Sequence, residues 1–214
     1  SGISCDWLYI DQSSQFQRET LDLLDQKIPI LNAAQMPSVQ ATEIVVPTAP
    51  SVSGVIPPWV CHWLRDELAV NCDADARSSE RIYISRSLAG RGRVRNEEQL
   101  VNCLMGRGFK IIQSENFSIR EQISIFKNAK IIVAPHGAGF SNSVFSKSGS
   151  AIIEIISNQY LNICFWTLSS QLGNVYAFQL AQPVDGEGGE ARPDLVVDVE
   201  KLDRLLDRVE GHMS

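Results

Sequence analysis

From Arg81 onward the chain alternates between two patterns of apolar residues. Short apolar runs at Arg81 to Ser85, Phe109 to Ile112, Lys130 to Ala134, Ala151 to Ile156 and Asn174 to Leu180 predict strands, most of them buried on both faces. Between them apolar residues recur every three or four positions: Leu100, Cys103 and Leu104, then Ile119, Ile123 and Phe126, then the stretch Asn162 to Leu172. Start signals accompany these helices. Asn96 with Gln99 is a capping-box variant, Ser118-Ile119-Arg120-Glu121 is a full capping box, and Asp198 caps a final amphipathic helix carrying Leu202, Leu205, Leu206 and Val209. Regular strand–helix alternation predicts an α/β fold, a Rossmann-like, doubly wound parallel sheet with right-handed crossovers and helices on both faces.

The first part of the chain is thinner. Trp7 to Ile10 and Glu43 to Val46 read as strands, and Phe16, Leu21 and Leu24 mark a helix. Pro47 to Pro58 has linker composition, and Pro57-Pro58 opens a helix with Trp59, Trp63, Leu64 and Leu68. So few elements make a poor independent core. Residues 1–58 are therefore expected to be the end of another domain plus a linker, with 59–210 forming the ligand-binding domain. Gly211 to Ser214 resembles a cloning remnant. Asn71 to Ser79 reads as a polar loop, and the glycine-rich acidic stretch Asp185 to Glu190 as a mobile one.

Composition narrows the function classes. With 44% apolar and 21% charged residues the chain is an ordinary globular protein, and its net charge of −6 disfavours a general nucleic-acid or anionic-membrane binder. An anion site must then be local. Arg81, Arg86, Arg91, Arg93 and Arg95 crowd one short segment, either as such a site or as a solvated charged face. The 5 cysteines are widely spaced and odd in number, with no C-x-x-C pair; they read as reduced thiols of a cytoplasmic protein. No apolar run approaches the roughly 20 residues that span a bilayer.

The candidate chemistry centres on Pro135-His136-Gly137-Ala138-Gly139-Phe140-Ser141-Asn142, where a β-branched run ends in a glycine turn that can open a helix. Unpaired amides and the helix dipole make such a turn an anion site. The glycines would permit positive φ and close approach of a phosphate. The turn is not a dinucleotide fingerprint, because Asn142 stands at the third glycine position, and no Gly-Lys-Ser/Thr follows to make a Walker A loop. His136 could donate to a phosphate or satisfy a loop carbonyl. Arg86, just after a strand, could grip a diphosphate bidentately or form an ion pair. Ser85 and Ser87 could donate to phosphate or be plain loop residues. Glu154, inside an apolar strand, could accept from ribose hydroxyls or pair with an arginine such as Arg86.

Taken together, Arg81 to Arg86, Arg95 to Glu98, Pro135 to Asn142 and Ile153-Glu154-Ile155, in this order and spacing, resemble glycosyltransferase family 61, including its capsular polysaccharide biosynthesis members. Phe140 departs from the commoner leucine. The resemblance covers roughly Trp7 to Leu180. It implies the C-terminal, donor-binding half of a GT-B enzyme. It also implies inverting transfer from a nucleotide sugar, commonly a UDP sugar, to a carbohydrate acceptor, with no cofactor and no essential metal, and a longer protein lying peripherally at a membrane. By position, Arg86 and His136 would face the diphosphate. The amides of Gly137, Ala138, Gly139 and Phe140, with Ser141 or Asn142, would cradle it, and Glu154 would hold the ribose. A base for the acceptor hydroxyl is not identified; Asp11 is the one candidate. A non-catalytic nucleotide-binding or protein-interaction module on the same fold is a second reading, and another Rossmann-like enzyme such as a methyltransferase a third.

Overall fold

The computed structural model describes residues 4–24, 26–50, 54–70, 72, 79–184 and 193–213. Most of Asn71 to Ser79 and all of Asp185 to Glu190, read above as loops, lie outside these residues. The molecule is a mixed α/β structure built on a six-stranded sheet. Its strands are β3 (Arg81–Ile84), β4 (Lys110–Ile112), β5 (Ile131–Pro135), β6 (Ala151–Ser157), β7 (Val175–Pro183) and β8 (Leu195–Val196). The spatial order is β4-β3-β5-β6-β7-β8, parallel except for β8, which runs antiparallel to β7. The innermost strands β5 and β6 are buried at every position. β7 alternates between buried and exposed residues toward its end, because the sheet is covered there on one side only.

Side chains alternate between two cores, as the period-2 pleat requires. On one face Ile82, Ile84, Ile112, Ile132 and Ile152 pack with residues of α2 (Pro58–Leu68), α4 (Ile119–Asn128) and α5 (Cys164–Gln171). On the other, Tyr83, Val133, Ile153 and Ile155 meet α3 (Glu97–Gly106) and α6 (Val199–Met213). The two-sided covering anticipated from the continuous apolar strands is thus present. α6 runs on through Gly211 and His212 to Met213. No helix among the described residues is long and apolar enough to cross a membrane.

The N-terminal part forms its own parallel pair, β1 (Leu8–Ile10) with β2 (Ile30–Asn32), connected through α1 (Gln15–Leu23). The second strand of this pair is not the one anticipated: Glu43 to Val46 is irregular, with Val46 79% exposed. A β-branched run with no sheet edge beside it has no partner for its backbone, and propensity alone does not make a strand. Leu23 and Leu24 pack against the α4-side core, and Glu19 Oε2 accepts from the Ile119 amide at 2.8 Å.

Helix starts divide into two cases. Ser118 and Glu121 form the reciprocal capping box anticipated for α4. Asn96 stands at the start of α3 but makes no cap bond. Its amide spans Val197 instead, donating to the carbonyl at 2.8 Å and accepting from the N–H at 3.0 Å. This ties the β8–α6 connection to the loop after β3, beside the Val94–Leu195 bridge. The strand sequence also ends later than expected, since β8 follows β7. If Asn96 acts as a bridge rather than a cap, Asn96→Ser, which restores a good capping residue, will be as destabilising as Asn96→Ala. Both should cost about 1–3 kcal/mol in urea denaturation; recovery of stability by serine would assign the residue to capping.

Candidate functional site

In the main sheet the order reverses between β3 and β5. The chain leaves β3 toward β4 on one side and leaves β5 toward β6 on the other, which opens a crevice beyond the carboxyl ends of these two strands. A cavity of about 20 Å³ lies there, bordered by Ser85, Arg86, Ser114, Gly137 and Gly139 among others.

Arg86 follows β3 directly. The loop after it folds back, so that its Nη2 donates to the Arg91 carbonyl at 2.9 Å and its Nε to the Gly92 carbonyl at 3.2 Å, with Gly92 in the left-handed region at φ +67°. The guanidinium lies across Gly137. A Cβ built on Gly137 would stand 1.9 Å from Arg86 Nη1 and 2.6 Å from Cζ. Neither Gly137 nor Gly139 lies in the left-handed region, and Gly137 is extended at φ 168°. The anticipated conformational reason for these glycines is therefore corrected: Gly137 is glycine because Arg86 occupies its side-chain space. Gly139 is less constrained, since a Cβ there would meet Ser114 Oγ at an ordinary 3.4 Å.

Three other arginines of the cluster divide between two carboxylates. Asp194 binds Arg93 at 3.1 Å and Arg95 at 2.8 Å, and Arg81 pairs with Glu210 at 2.6 Å. Burial alone would raise the Asp194 pKa. Hydrogen bonds from Arg93 and the charges of Arg93 and Arg95 outweigh it and hold the carboxyl below its ordinary value. Ser85, for its part, donates to Glu97 Oε1 at 2.9 Å, and Ser87 accepts from Gln113 at 2.8 Å.

After Gly137 the chain forms a 3-10 helix, Ala138–Phe145, rather than an α-helix. Its first bond runs from the Phe140 amide to the Gly137 carbonyl at 3.0 Å. The Phe140 N–H is spent on closing the turn, which corrects the anticipated cradle; the amides of Gly137, Ala138 and Gly139 precede that bond. Ala138 and Ser141 are exposed, while the Phe140 ring is buried against Phe165. Asn142 donates to Gln122 Oε1 at 2.7 Å, and Gln122 in turn donates to the carbonyls of Ser114 and Phe117, each at 2.9 Å. At the far end Arg65 of α2 donates to the carbonyls of Val144 and Ser146, satisfying acceptors that a helix terminus leaves open.

His136 and Glu154 form a separate assembly. The His136 amide extends the β5–β6 ladder by donating to Ile155 O at 2.8 Å. Its Nδ1 hydrogen-bonds Glu154 Oε1, and the Tyr176 hydroxyl donates to Glu154 Oε2 at 2.5 Å. Tyr160 and Phe165 enclose the imidazole at 5.2 and 5.0 Å between ring centres. Burial and the adjacent carboxylate push the Tyr176 phenol well above its ordinary pKa, so it remains a donor. Glu154 is 0% exposed, and its carboxylate is engaged by His136 and Tyr176. A ribose role needs a carboxylate that a ligand can reach, and both oxygens of this one are engaged inside the protein. Arg86 and the glycine turn are thus brought together, whereas His136 and Glu154 lie outside the cavity lining.

Two residues take parts that sequence reasoning did not assign. Tyr176 completes the Glu154 assembly, and Ser114 borders the cavity. The position of Ser114 just past β4, beside β3, was the available signal. Asp11, the one candidate base, is a cap constituent: its carboxylate accepts from Gln17 and Ser13, and these bonds hold its pKa low, which suits a hydrogen-bond acceptor more than a base.

The family model for Glycosyltransferase 61 matches residues 9–153 of the chain. The match takes in Arg86 and the whole His136–Asn142 turn and stops one residue short of Glu154. No curated protein matches.

Gly137→Ala should displace the Arg86 guanidinium and cost about 1–3 kcal/mol in thermal or urea denaturation, an overpacking penalty, whereas Gly139→Ala should stay within about 1 kcal/mol. Equal costs would show that the contact with Arg86 is not what requires glycine. Tyr176→Phe strips one donor from a buried carboxylate and should destabilise by about 1–3 kcal/mol; an unchanged urea midpoint would mean that the phenol is dispensable to Glu154.

Proposed function

The chain belongs to glycosyltransferase family 61, and from that membership we propose that it binds the diphosphate of a nucleotide-sugar donor in the crevice between β3 and β5. The observation that carries this reading is the Arg86 guanidinium, anchored on two carbonyls and laid against the turn whose first amides are those of Gly137, Ala138 and Gly139. A fixed cation beside backbone donors at a strand-order reversal is suited to a diphosphate. Ser141, exposed on the same turn, adds a hydroxyl. Asn142 contributes mainly by fixing the turn to Gln122.

The chemistry follows from charge. Breaking the bond from sugar to diphosphate builds negative charge on the leaving group, and Arg86 with the turn amides lowers the energy of that charge as it forms. His136 stands one residue before the amides. With Nδ1 taken by Glu154, Nε2 is the ring nitrogen left for a ligand, and with Nδ1–H donating to the carboxylate it donates only when the ring is the doubly protonated imidazolium. On this reading Glu154 orients His136 instead of holding ribose.

The finer parts of the proposal come from the family resemblance: inverting transfer without an essential metal, a UDP sugar as donor, and a carbohydrate acceptor in capsular or extracellular polysaccharide assembly. The same source suggests a GT-B arrangement with a Rossmann-like donor domain at 59–210, and 1–58 belonging to the acceptor side. The separateness of the β1–β2 pair from the main sheet is consistent with that division, because two three-residue strands are too small to stand alone. The free thiols suit a reducing, cytoplasmic compartment.

Calorimetric titration tests the reading. UDP should bind the chain, S-adenosylmethionine should not, and Arg86→Ala or His136→Ala should weaken UDP tenfold or more, about 1.4 kcal/mol. Absence of UDP binding at millimolar concentration would reject it. Sugar release from a UDP-sugar panel by the full-length protein separates a transferase from a binding module.

A further inference from the structure

Most buried polar side chains in this structure have partners, as expected of native proteins. Ser114 is an exception. It is 9% exposed, and its Oγ is buried with no hydrogen-bond partner. Other buried side-chain atoms share that condition, among them Ser143 Oγ, Ser169 Oγ and Gln179 Oε1. Among the described residues Ser114 Oγ is the one such atom whose residue borders the cavity beside Arg86.

The placement of the hydroxyl is fixed from behind. Ser114 opens the 3-10 turn Ser114–Asn116, and its carbonyl accepts from Gln122, the residue that also holds Asn142 of the glycine turn. In front, Gly139 presents no side chain: its Cβ position is 3.4 Å from Ser114 Oγ. Ser114 thus shares the cavity lining with Gly139 and with Arg86, whose guanidinium lies over Gly137. A space of about 20 Å³ is large enough to seat a water-sized oxygen atom. Glu115, exposed at the rim, is the acidic member of the lining.

We infer that Ser114 is a ligand-contacting residue whose hydroxyl donates to one non-bridging oxygen of the bound diphosphate, with that oxygen seated between Ser114 and Arg86. The rest of the diphosphate lies at the mouth, where Ala138 and Ser141 are exposed. This inference rests on the diphosphate reading above and adds a donor from a third segment, the turn after β4. The hydroxyl left without a partner in the protein is satisfied by the ligand.

The test uses the chain as it is, with UDP, inorganic pyrophosphate and inorganic phosphate as probes. Ser114→Ala should weaken UDP and pyrophosphate alike by about tenfold or more, as expected for a bond to a charged acceptor. The free variant should melt at the wild-type temperature or above, because the substitution removes a buried hydroxyl that lacks a partner. Equal affinities for wild type and Ser114→Ala, with Arg86→Ala impaired, would overturn the inference while leaving the diphosphate reading intact; the hydroxyl would then be satisfied by water. Ser114-dependent binding of pyrophosphate without UDP binding would support the oxygen site and reject the nucleotide. Wild-type binding of phosphate or pyrophosphate that Ser114→Ala and Arg86→Ala leave unchanged would place the anion elsewhere and overturn it. No binding of any probe would overturn both.

Discussion

The contact between Arg86 and Gly137 is the constraint on which the crevice depends. A guanidinium that stands where a Cβ would be is possible only on a glycine, and any larger residue would force the cation away. That contact puts the cation beside the amides of the glycine turn. Asn142, Gln122 and the turn at Ser114 hold the other wall through one hydrogen-bonded series, and Arg65 of α2 closes the far end of the 3-10 helix. Elements distant in sequence thus converge on one short turn.

A second polar assembly sits deeper. Glu154 is a carboxylate in the middle of a strand buried at every position, where an unpaired charge is costly. Its oxygens meet an imidazole on β5's continuation and a phenol on β7, so the three central parallel strands are pinned across their register by side chains as well as by backbone. An assembly of this kind is expensive to build half-way and well defined once complete. It explains why a glutamate persists in a run of isoleucines without contact with solvent.

Much of the fold was legible in the sequence. Continuous apolar runs located the five parallel strands of the main sheet, and Ser118-x-x-Glu121 located a helix start to the residue, because these signals are local. Failures came where tertiary partners decide. Glu43 to Val46 has strand propensity but no adjoining edge. Asn96 has a cap's identity but is recruited by Val197 from the other end of the chain. At the site, the positions of Arg86 and of the turn could be read from spacing, whereas the reason for Gly137 could not, since it lies in another segment's side chain. Glu154 looked available from its sequence because nothing local reveals that His136 and Tyr176 occupy both of its oxygens. Family 61 membership was legible as an ordered set of motifs, each weak alone.

The return strand β8 has a bearing on how the site meets a ligand. Arg91 and Gly92, whose carbonyls anchor Arg86, are followed at once by Arg93, which is bound through its amide to Asp194 and through its carbonyl to the Leu195 amide. The arginine-bearing loop is therefore clamped at one end by β3 and at the other by a strand from the opposite edge of the sheet. A loop clamped at both ends has little conformational freedom left to lose, so the ordering entropy of the cation's surroundings is met when the chain folds and not when the anion arrives.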